Sequence, residues 1–359
     1  MRVCLFSERL RCPYDEGIKN VTVNLIRAVS RENEVLALTS EGEENAEVGI
    51  HDIRANRLLL NWPLERAVRD FRPEAIVYVP TASSTVFALA RAQVLRLYGC
   101  DVPTALVALQ PRSHSVAGGR LVRMLAPDWV LTQSSASRDA LRSLGCRSTL
   151  LPPAVDSNRF RPAKAQEKAD LRRRYGVPLD RQVIAHVGHL RNPRNLTFFQ
   201  TLRSLGNYHG LVVASTSTPQ NATLRNALLN AGTTVVDTFV PTIEDIYRMS
   251  DVYLFLTGFR GAAIEMPLSV LEAMACNLVV ISTRFGGLPD YFPSGRGLFY
   301  CDGETNLGDL LREASAVEAA TRDVIAPYTW ENAATVLVSL LAGRSEDAVG
   351  PAVGLGGLR

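Results

Sequence analysis

The sequence lacks several features that would place it at once in a particular class of protein. Its charge is nearly balanced, with 39 basic and 36 acidic side chains among 359 residues, so it has no large positive excess for a nucleic-acid partner. No run approaches the roughly 18 to 20 apolar residues that cross a bilayer. The amino terminus enters a strand-like run at Val3 without the apolar stretch and cleavage site of a signal peptide. We therefore expect a cytoplasmic protein without a nucleic-acid partner. Any contact with a membrane is expected to be peripheral, at the inner face of that membrane.

Signatures of metal and redox sites are also lacking. The six cysteines are scattered without the short paired spacings of zinc or redox sites. No Asp-x-Asp pair is present to hold a divalent ion on a diphosphate, and His51, His186 and His209 have no metal-ligand spacing. The sequence therefore predicts no metal site, and it predicts ordinary packing or surface positions for these three histidines.

Lysine is scarce, since only Lys19, Lys164 and Lys168 occur. Nearly all basic charge is therefore arginine, and any group that holds a phosphate is expected to be a fork-shaped guanidinium. The Arg172-Arg173-Arg174 run is expected to lie on a solvated helix face.

Short apolar runs rich in branched residues alternate with helix-patterned segments along the chain, a pattern typical of parallel sheets covered on both faces. This pattern stops near Pro162 and then restarts, so the fold class is α/β with two doubly wound, Rossmann-like domains that face each other across a cleft. We predict domains over 1–161 and 162–327, a last helix over about 328–342 that packs back on the first domain, and a loose tail over 343–359. A helix is predicted over about 18–31, and strands near 3–6, 34–38, 75–79, 104–109, 129–132, 149–151, 183–187, 211–214, 234–237, 252–256, 278–282 and 298–300.

The segment from Glu265 to Cys276 carries the most chemical information. Pro267 suits a first helical turn, so a helix is expected to begin there, with the amides near Leu268 and Ser269 and the positive end of the helix dipole available to a phosphate. The carboxylate of Glu272 could accept both hydrogen bonds of a ribose diol. The alternative is that Glu272 is a helix former that points at water.

The stretch 267–276 resembles the signature helix of the retaining family 4 glycosyltransferases, group 1 enzymes of the GT-B fold. That signature is a glutamate, seven intervening residues and a second glutamate in a Leu-Glu-Ala-Met-Ala context. The second glutamate, which holds the donor ribose in the family, falls on Glu272. The first falls on Ile264, and the neighbouring carboxylate, Glu265, leaves only six intervening residues. We expect Glu265 to serve in its place; otherwise the usual contact to the donor sugar is missing.

Other segments resemble the donor-binding side of the same family in the same order. Gly188-His189 followed by Arg194 is similar to a strand and loop in which an arginine and then a lysine reach the donor diphosphate. Here His189 replaces the arginine, and Arg194 replaces the lysine while keeping a phosphate-chelating group. Val240 lies in the segment that meets the nucleotide base. The stretch 286–290 is similar to a donor loop, and a tight turn explains its glycines equally well.

On the acceptor side, Gly17 resembles the family's glycine loop, whose backbone amides approach the diphosphate. The family often has a histidine at the end of the fourth strand, a position that Gln110 occupies here, with His114 beyond it. The stretches 131–145, 151–156 and 160–162 are similar to the end of the family's acceptor-side domain.

The resemblance implies transfer of a sugar from a nucleoside-diphosphate sugar to a hydroxyl acceptor, with retained configuration and no metal. It also implies no cofactor beyond the donor, and catalytic roles for Glu265 and Arg194. The acceptor could be a sugar, a lipid or a small molecule; base, sugar and oligomeric state stay open. One alternative is a donor-binding relative with weak or lost catalysis, suggested by Ile264, His189 and Gln110. Another is a dinucleotide oxidoreductase, which the absence of a Gly-x-Gly-x-x-Gly run disfavours.

Overall fold

The computed structural model describes residues 1–190, 194–216, 219–259 and 261–344. The chain divides into two compact units. Unit 1 comprises Met1–Pro153, Ala263–Met266 and Trp330–Arg359, and unit 2 comprises Ala154–Ala262 and Pro267–Thr329.

Unit 1 is built on a seven-stranded parallel sheet in the order β3-β2-β1-β4-β5-β6-β7. Its central strands are almost entirely buried, as expected where helices cover both faces of a sheet. The strands are β1 (Arg2–Phe6), β2 (Glu34–Thr39), β3 (Ile50–Asp52), β4 (Ala75–Tyr78), β5 (Thr104–Ala108), β6 (Trp129–Thr132) and β7 (Ser148–Leu150). The helices between them are α1 (Gly17–Val29), α2 (Trp62–Phe71), α3 (Val86–Tyr98), α4 (Val116–Leu125) and α5 (Ser135–Ser143).

Unit 2 has a six-stranded parallel sheet in the order β10-β9-β8-β11-β12-β13. The order reverses between β8 and β11, and doubly wound sheets bind ligands outside the carboxyl ends of the strands at such a point. The strands are β8 (Gln182–Gly188), β9 (Tyr208–Ala214), β10 (Thr234–Val236), β11 (Val252–Phe255), β12 (Val279–Thr283) and β13 (Leu298–Cys301). The helices are α6 (Ala165–Arg174), α7 (Leu202–Leu205), α8 (Ala222–Asn230), α9 (Ile243–Met249), α10 (Leu268–Ala275), α11 (Leu288–Tyr291), α12 (Leu307–Ser315) and α13 (Thr321–Ile325), with a 3₁₀ turn over Leu196–Thr201.

Unit 1 is completed by two later stretches of the chain. The last helix, α14 (Trp330–Leu341), packs against α1. The stretch 263–266 is held by the amide of Glu265, which donates to the Leu109 carbonyl at 2.8 Å, and by the amide of Met266, which donates to Oε1 of Gln133 at 3.3 Å. Unit 1 is therefore discontinuous in sequence.

The first crossing between units comes at 153/154, earlier than the predicted boundary at 161/162. The reason is packing within unit 2: the Phe160 ring meets Tyr247 edge-on at 5.8 Å between centroids. Arg322 donates to the carbonyls of Phe160 at 3.0 Å and Ser157 at 2.9 Å. Of the predicted tail, 345–359 lies outside the described residues.

Three local features differ from what the sequence predicted. Strand β3 was not predicted, because only Ile50 of its three residues is buried. Pro267 is the residue before α10 and not part of its first turn. Arg172 is buried and pairs with Asp251, so only its two neighbours fit the predicted solvated face.

Candidate functional site

Glu272 is a buried carboxylate on α10, only 8% exposed. Its Oε2 accepts a hydrogen bond of 2.7 Å from the hydroxyl of Tyr247 on α9. Burial raises the pKa of Glu272 to about 7, although the Tyr247 hydrogen bond and the charge of Arg159 oppose the rise. The interpretation of Glu272 as a water-facing helix former is therefore wrong. The group is desolvated and would gain from hydroxyl donors supplied by a ligand.

Arg194 is a buried guanidinium beyond the carboxyl end of β8. Its Nη2 donates to the Ala262 carbonyl at 2.8 Å, its Nη1 to Oγ1 of Thr257 at 3.4 Å, and it lies 5.5 Å from the centre of the Phe255 ring. Burial lowers its pKa. Within 1–190, 194–216, 219–259 and 261–344, no carboxylate forms a salt bridge with it. A buried cation held by neutral groups favours an anionic ligand.

Gly188 ends β8 beside this guanidinium. Its φ of +154° is a conformation that other residues rarely adopt. A Cβ atom here would lie 3.2 Å from Nε2 of His186 and 3.6 Å from Nη1 of Arg194. The glycine therefore keeps the backbone open next to Arg194. His189, which follows it, is half-buried.

Buried rings connect the two charged groups. His186 stacks on Tyr253 at 6.2 Å, and Tyr253 packs against Tyr247 at 5.7 Å. Burial raises the pKa of the Tyr253 hydroxyl, while the charge of Arg194 lowers it and that of Glu272 raises it. The Tyr253 hydroxyl donates to the Val187 carbonyl at 3.2 Å, one residue before the glycine beside Arg194, so the ring cluster joins Arg194 and Glu272 at the same end of the unit 2 sheet.

His186 is neutral, since burial and the charge of Arg194 lower its pKa to about 3. Its Nδ1 lies 2.9 Å from the carbonyl oxygen of Leu254, which can only accept, so Nδ1 carries the proton. The prediction of ordinary packing is confirmed for this residue, which is fully buried. Sequence reasoning assigned no role to Tyr253 or to Tyr247.

The remaining predicted donor-side residues, Leu268, Ser269, Val240 and the stretch 286–290, also lie in unit 2. The first hydrogen bond of the helix runs from the Val270 amide to the Pro267 carbonyl at 3.0 Å, so the Leu268 and Ser269 amides precede it. The Ser269 side chain lies close enough to the Tyr253 hydroxyl to lower its pKa. Val240 is half-buried in a core cluster of unit 2. The stretch 286–290 forms a turn, with φ of +53° at Gly286, and continues into α11.

Glu265 belongs to unit 1, whereas Arg194 and Glu272 belong to unit 2. It is buried, and its Oε1 accepts hydrogen bonds from the hydroxyls of Ser134 at 2.6 Å and Ser137 at 2.7 Å. The preceding residue, Ile264, packs on Gly17: a Cβ atom on that glycine would lie 3.1 Å from Cδ1 of Ile264. The catalytic role of Glu265 stays a prediction.

Gln110 and His114 follow β5 in unit 1. The backbone of Gln110 is fixed by Ser83, whose hydroxyl donates to its carbonyl at 2.5 Å. His114 is half-buried, and burial together with Arg112 lowers its pKa, so it is neutral near pH 7. Both contacts to an acceptor stay predictions.

Sequence reasoning also missed a buried acid in unit 1. Glu8, two residues beyond β1, accepts from the Tyr78 hydroxyl at 2.5 Å and from the Thr81 amide at 2.9 Å, and it pairs with Arg91. The only sequence signal was an acidic residue two positions after a buried strand.

Residues 181–319, which lie within unit 2, match the family model "Glycosyl transferases group 1". The GDP-mannose-dependent alpha-(1-6)-phosphatidylinositol monomannoside mannosyltransferase of Mycolicibacterium smegmatis is 30% identical over 219 residues, covering 55% of this chain and 56% of that protein. The sulfoquinovosyl transferase SQD2 of Arabidopsis thaliana is 24% identical over 377 residues, covering 93% and 72%. The chain thus spans about half the length of the mannosyltransferase relatives it matches.

Among solved structures, Anabaena Alr3699/HepE in complex with UDP-glucose matches with a TM-score of 0.74 at 14% identity, covering 95% of this chain and 99% of that one. The predicted two-domain α/β fold is confirmed by this likeness. The family and the relatives, all named transferases, agree with the predicted enzyme class and disfavour the dinucleotide oxidoreductase. Residues 181–319 are therefore similar to the group 1 glycosyl transferases, and the chain as a whole has the GT-B fold.

Proposed function

We propose that the protein is a retaining, metal-independent glycosyltransferase that moves a sugar from a nucleoside-diphosphate sugar to a hydroxyl acceptor. The observation that carries this proposal is the pair formed by Arg194 and Glu272: a buried guanidinium held by neutral groups and a buried carboxylate, at one end of one sheet. The first suits a diphosphate, and the second suits the hydroxyls of a ribose.

In the proposed reaction, the bond from the anomeric carbon to the diphosphate oxygen breaks, and a bond from that carbon to the acceptor oxygen forms. The acceptor proton passes to the departing diphosphate. Negative charge grows on the diphosphate as the bond breaks, so fixed positive groups lower the barrier. Arg194 supplies one, and the amides of Leu268 and Ser269 at the positive end of α10 supply others. Gly188 allows the close approach of a phosphate.

The roles of the other predicted residues belong to the proposal as well. Glu265 would contact the donor sugar, with its carboxylate oriented by Ser134 and Ser137. Gln110 and His114 would contact the acceptor through neutral hydrogen bonds. No resident cofactor is proposed.

A second candidate is a donor-binding protein with weak or lost catalysis. It is favoured by the state of Glu265, whose Oε1 is already hydrogen-bonded by two serines, and by the apolar Ile264 at the position of the family's first glutamate. This candidate keeps the roles of Arg194 and Glu272 and removes only the transfer step.

The test begins with thermal shift against UDP, GDP, ADP and NAD, because a ligand that binds only the folded state raises the melting temperature. We expect one nucleoside diphosphate to stabilise the protein and NAD to have no effect. The matching nucleotide sugars are then incubated with an acceptor panel in EDTA, and product configuration is read by proton NMR.

Transfer with retained configuration supports the first candidate, and binding without turnover supports the second. Inverted configuration, or activity that EDTA abolishes, contradicts the corresponding part of the proposal. Stabilisation by NAD alone would contradict both candidates.

A further inference from the structure

Unit 1 carries a concentration of exposed apolar side chains on one layer of helices. The inward residues of α2, α3 and α4 share one core against the sheet. Monomeric proteins seldom expose large contiguous apolar surfaces without a function for them. We name the exposed apolar residues of this layer the outer apolar face. They are Leu58, Leu60, Trp62, Phe87, Leu97, Val116, Leu121 and Met124.

The loop before α2 is shaped to present two of these side chains. Oδ1 of Asn56 accepts from the amides of Leu58 and Leu60, each at 3.0 Å. Leu59 between them is buried, and its carbonyl accepts from the Tyr98 hydroxyl at 3.1 Å. The loop is thus anchored by its middle residue, and its two flanking leucines are exposed.

Helix α4 presents apolar residues on its outward side. Its inward contacts are made by Gly119 and Val122, both buried. Val116 is 85% exposed and Met124 70% exposed, with Leu121 also exposed. A helix on a purely solvated surface has polar residues on its outward side. The outward side of α4 is therefore suited to an apolar partner.

The same layer has a surplus of positive charge. Residues 54–124 contain ten arginines and four acidic residues, although the whole chain is only +3. Among the described residues, Arg57, Arg120 and Arg123 form no salt bridge. Three of the four acids form salt bridges with arginines of the same layer: Asp70 with Arg66, Glu65 with Arg69, and Asp101 with Arg96. The fourth acid, Glu74, accepts a hydrogen bond from the backbone amide of Arg2.

Aromatic residues on this face lie next to arginines. The guanidinium of Arg66 is 5.3 Å from the centre of the Trp62 ring, and that of Arg91 is 4.5 Å from the centre of the Phe87 ring. Trp62 is 67% exposed. Exposed tryptophan beside cationic side chains is the composition found where proteins meet the headgroup region of a bilayer.

We propose that the outer apolar face binds the surface of an anionic lipid bilayer. Leu58, Leu60, Trp62, Val116 and Met124 would enter the boundary between headgroups and acyl chains. Arg57, Arg120 and Arg123 would lie among the anionic headgroups. No helix in the described stretches is long and apolar enough to cross a membrane, so the contact is peripheral. The proposal does not depend on the glycosyl-transfer reaction.

The partner is a bilayer and not a macromolecule with a matching shape, because the surplus arginines complement negative headgroups and lie between the exposed apolar side chains. Each arginine close to an anionic membrane contributes about a fivefold gain in partitioning, from the roughly 1 kcal/mol expected per basic residue. A second copy of the chain would bring like charges together on this face, which costs free energy.

The experiment is flotation of the full chain with vesicles of phosphatidylcholine alone and of phosphatidylcholine with phosphatidylglycerol. We expect binding to the anionic vesicles only, with binding weakened by raising the salt concentration. Arg120→Gln combined with Arg123→Gln is expected to lower the partition coefficient about 25-fold, from two fivefold factors. Trp62→Ser combined with Met124→Ser is expected to reduce binding at high salt as well.

The matched controls are exposed arginines and exposed apolar residues in unit 2. These are Arg173→Gln with Arg174→Gln, and Leu179→Ser with Leu229→Ser. The proposal is supported if the unit 1 variants lose vesicle binding while keeping the melting temperature of the parent protein. It is overturned by equal binding to neutral and anionic vesicles, by binding to neither, or by equal losses in the controls. A dimer in solution that Trp62→Ser dissociates would also overturn it, because the face would then join two copies.

Discussion

The buried carboxylate of Glu272 gives the most specific prediction, which concerns how stability depends on pH. The pKa of the group is about 7 in the folded protein and about 4.3 in an unfolded chain. A raised acid pKa means that the folded state binds the proton more tightly than the unfolded state. The group is therefore least costly at low pH, and stability is lost as pH rises from the unfolded pKa to the folded one.

The magnitude follows from the same two values. Each pKa unit corresponds to about 1.4 kcal/mol, so between pH 5 and pH 8 the free energy of unfolding of unit 2 should fall by roughly 2 to 3 kcal/mol relative to Glu272→Gln. Tyr247→Phe removes the hydrogen bond that lowers the pKa of Glu272, so Glu272 should titrate at higher pH in this variant.

The assay can separate the two units. All three tryptophans, Trp62, Trp129 and Trp330, lie in unit 1. Tryptophan fluorescence during urea denaturation therefore reports on unit 1, and far-UV circular dichroism reports on both units. The unfolding of unit 2 is the part of the circular dichroism change that has no counterpart in tryptophan fluorescence. Only this part should show the pH-dependent difference between parent protein and Glu272→Gln.

The proposed ribose contact adds a second readout. Hydroxyl donors stabilise the ionised carboxylate, so nucleoside diphosphate binding near pH 6.5 should release a proton from Glu272. The number of protons released is measured by calorimetry in buffers of different ionisation enthalpy. We expect the parent protein to release up to about 0.7 proton more per bound nucleotide than Glu272→Gln. A stability difference that does not change with pH would refute the assignment of a desolvated carboxylate, and equal proton release in parent and variant would refute the ribose contact.

Three further predictions concern the neighbouring residues. Arg194→Gln should weaken nucleoside diphosphate binding about 10- to 100-fold by titration calorimetry, because a charged hydrogen bond contributes about 1.5 to 3 kcal/mol; unchanged affinity would remove Arg194 from the site. Glu265→Ala should destabilise unit 1 by about 2 kcal/mol in tryptophan fluorescence, since Ser134 loses its acceptor; it should weaken donor binding less than Glu272→Ala, and equal or reversed effects would contradict the assignment. Gly188→Ala should lower stability by about 1 to 3 kcal/mol, because its backbone conformation suits only glycine; a melting temperature equal to that of the parent protein would contradict this reading.

Much of the fold could be predicted because parallel strands covered on both faces appear in sequence as uninterrupted apolar runs. Strand β11, Val252–Phe255, is fully buried and was predicted to within one residue. Strand β3 lies beside β2, and with a single buried residue it has no such run. The boundary between units was misplaced for a related reason, because Phe160 packs on a ring that is distant in sequence.

The candidate site was predictable where a short motif carries it and unpredictable where distant residues complete it. Glu272 was found from its local context, but its partner Tyr247 lies 25 residues away. The two serines that donate to Glu265 lie 131 and 128 residues away. Arg172 was misassigned because its partner Asp251 is 79 residues away, and an arginine run gives no sign of that pairing.

The discontinuity of unit 1 has a consequence for how the protein is made. Its sheet is fully synthesised by residue 153, but α14 is not complete until residue 341. At roughly 5 to 20 residues per second, the ribosome needs about 10 to 40 s to cover that interval. During this time the outward surface of α1 has no helix packed on it, so the nascent chain exposes an apolar patch to which chaperones can bind. A gene fragment that stops before Trp330 would leave that patch permanently uncovered.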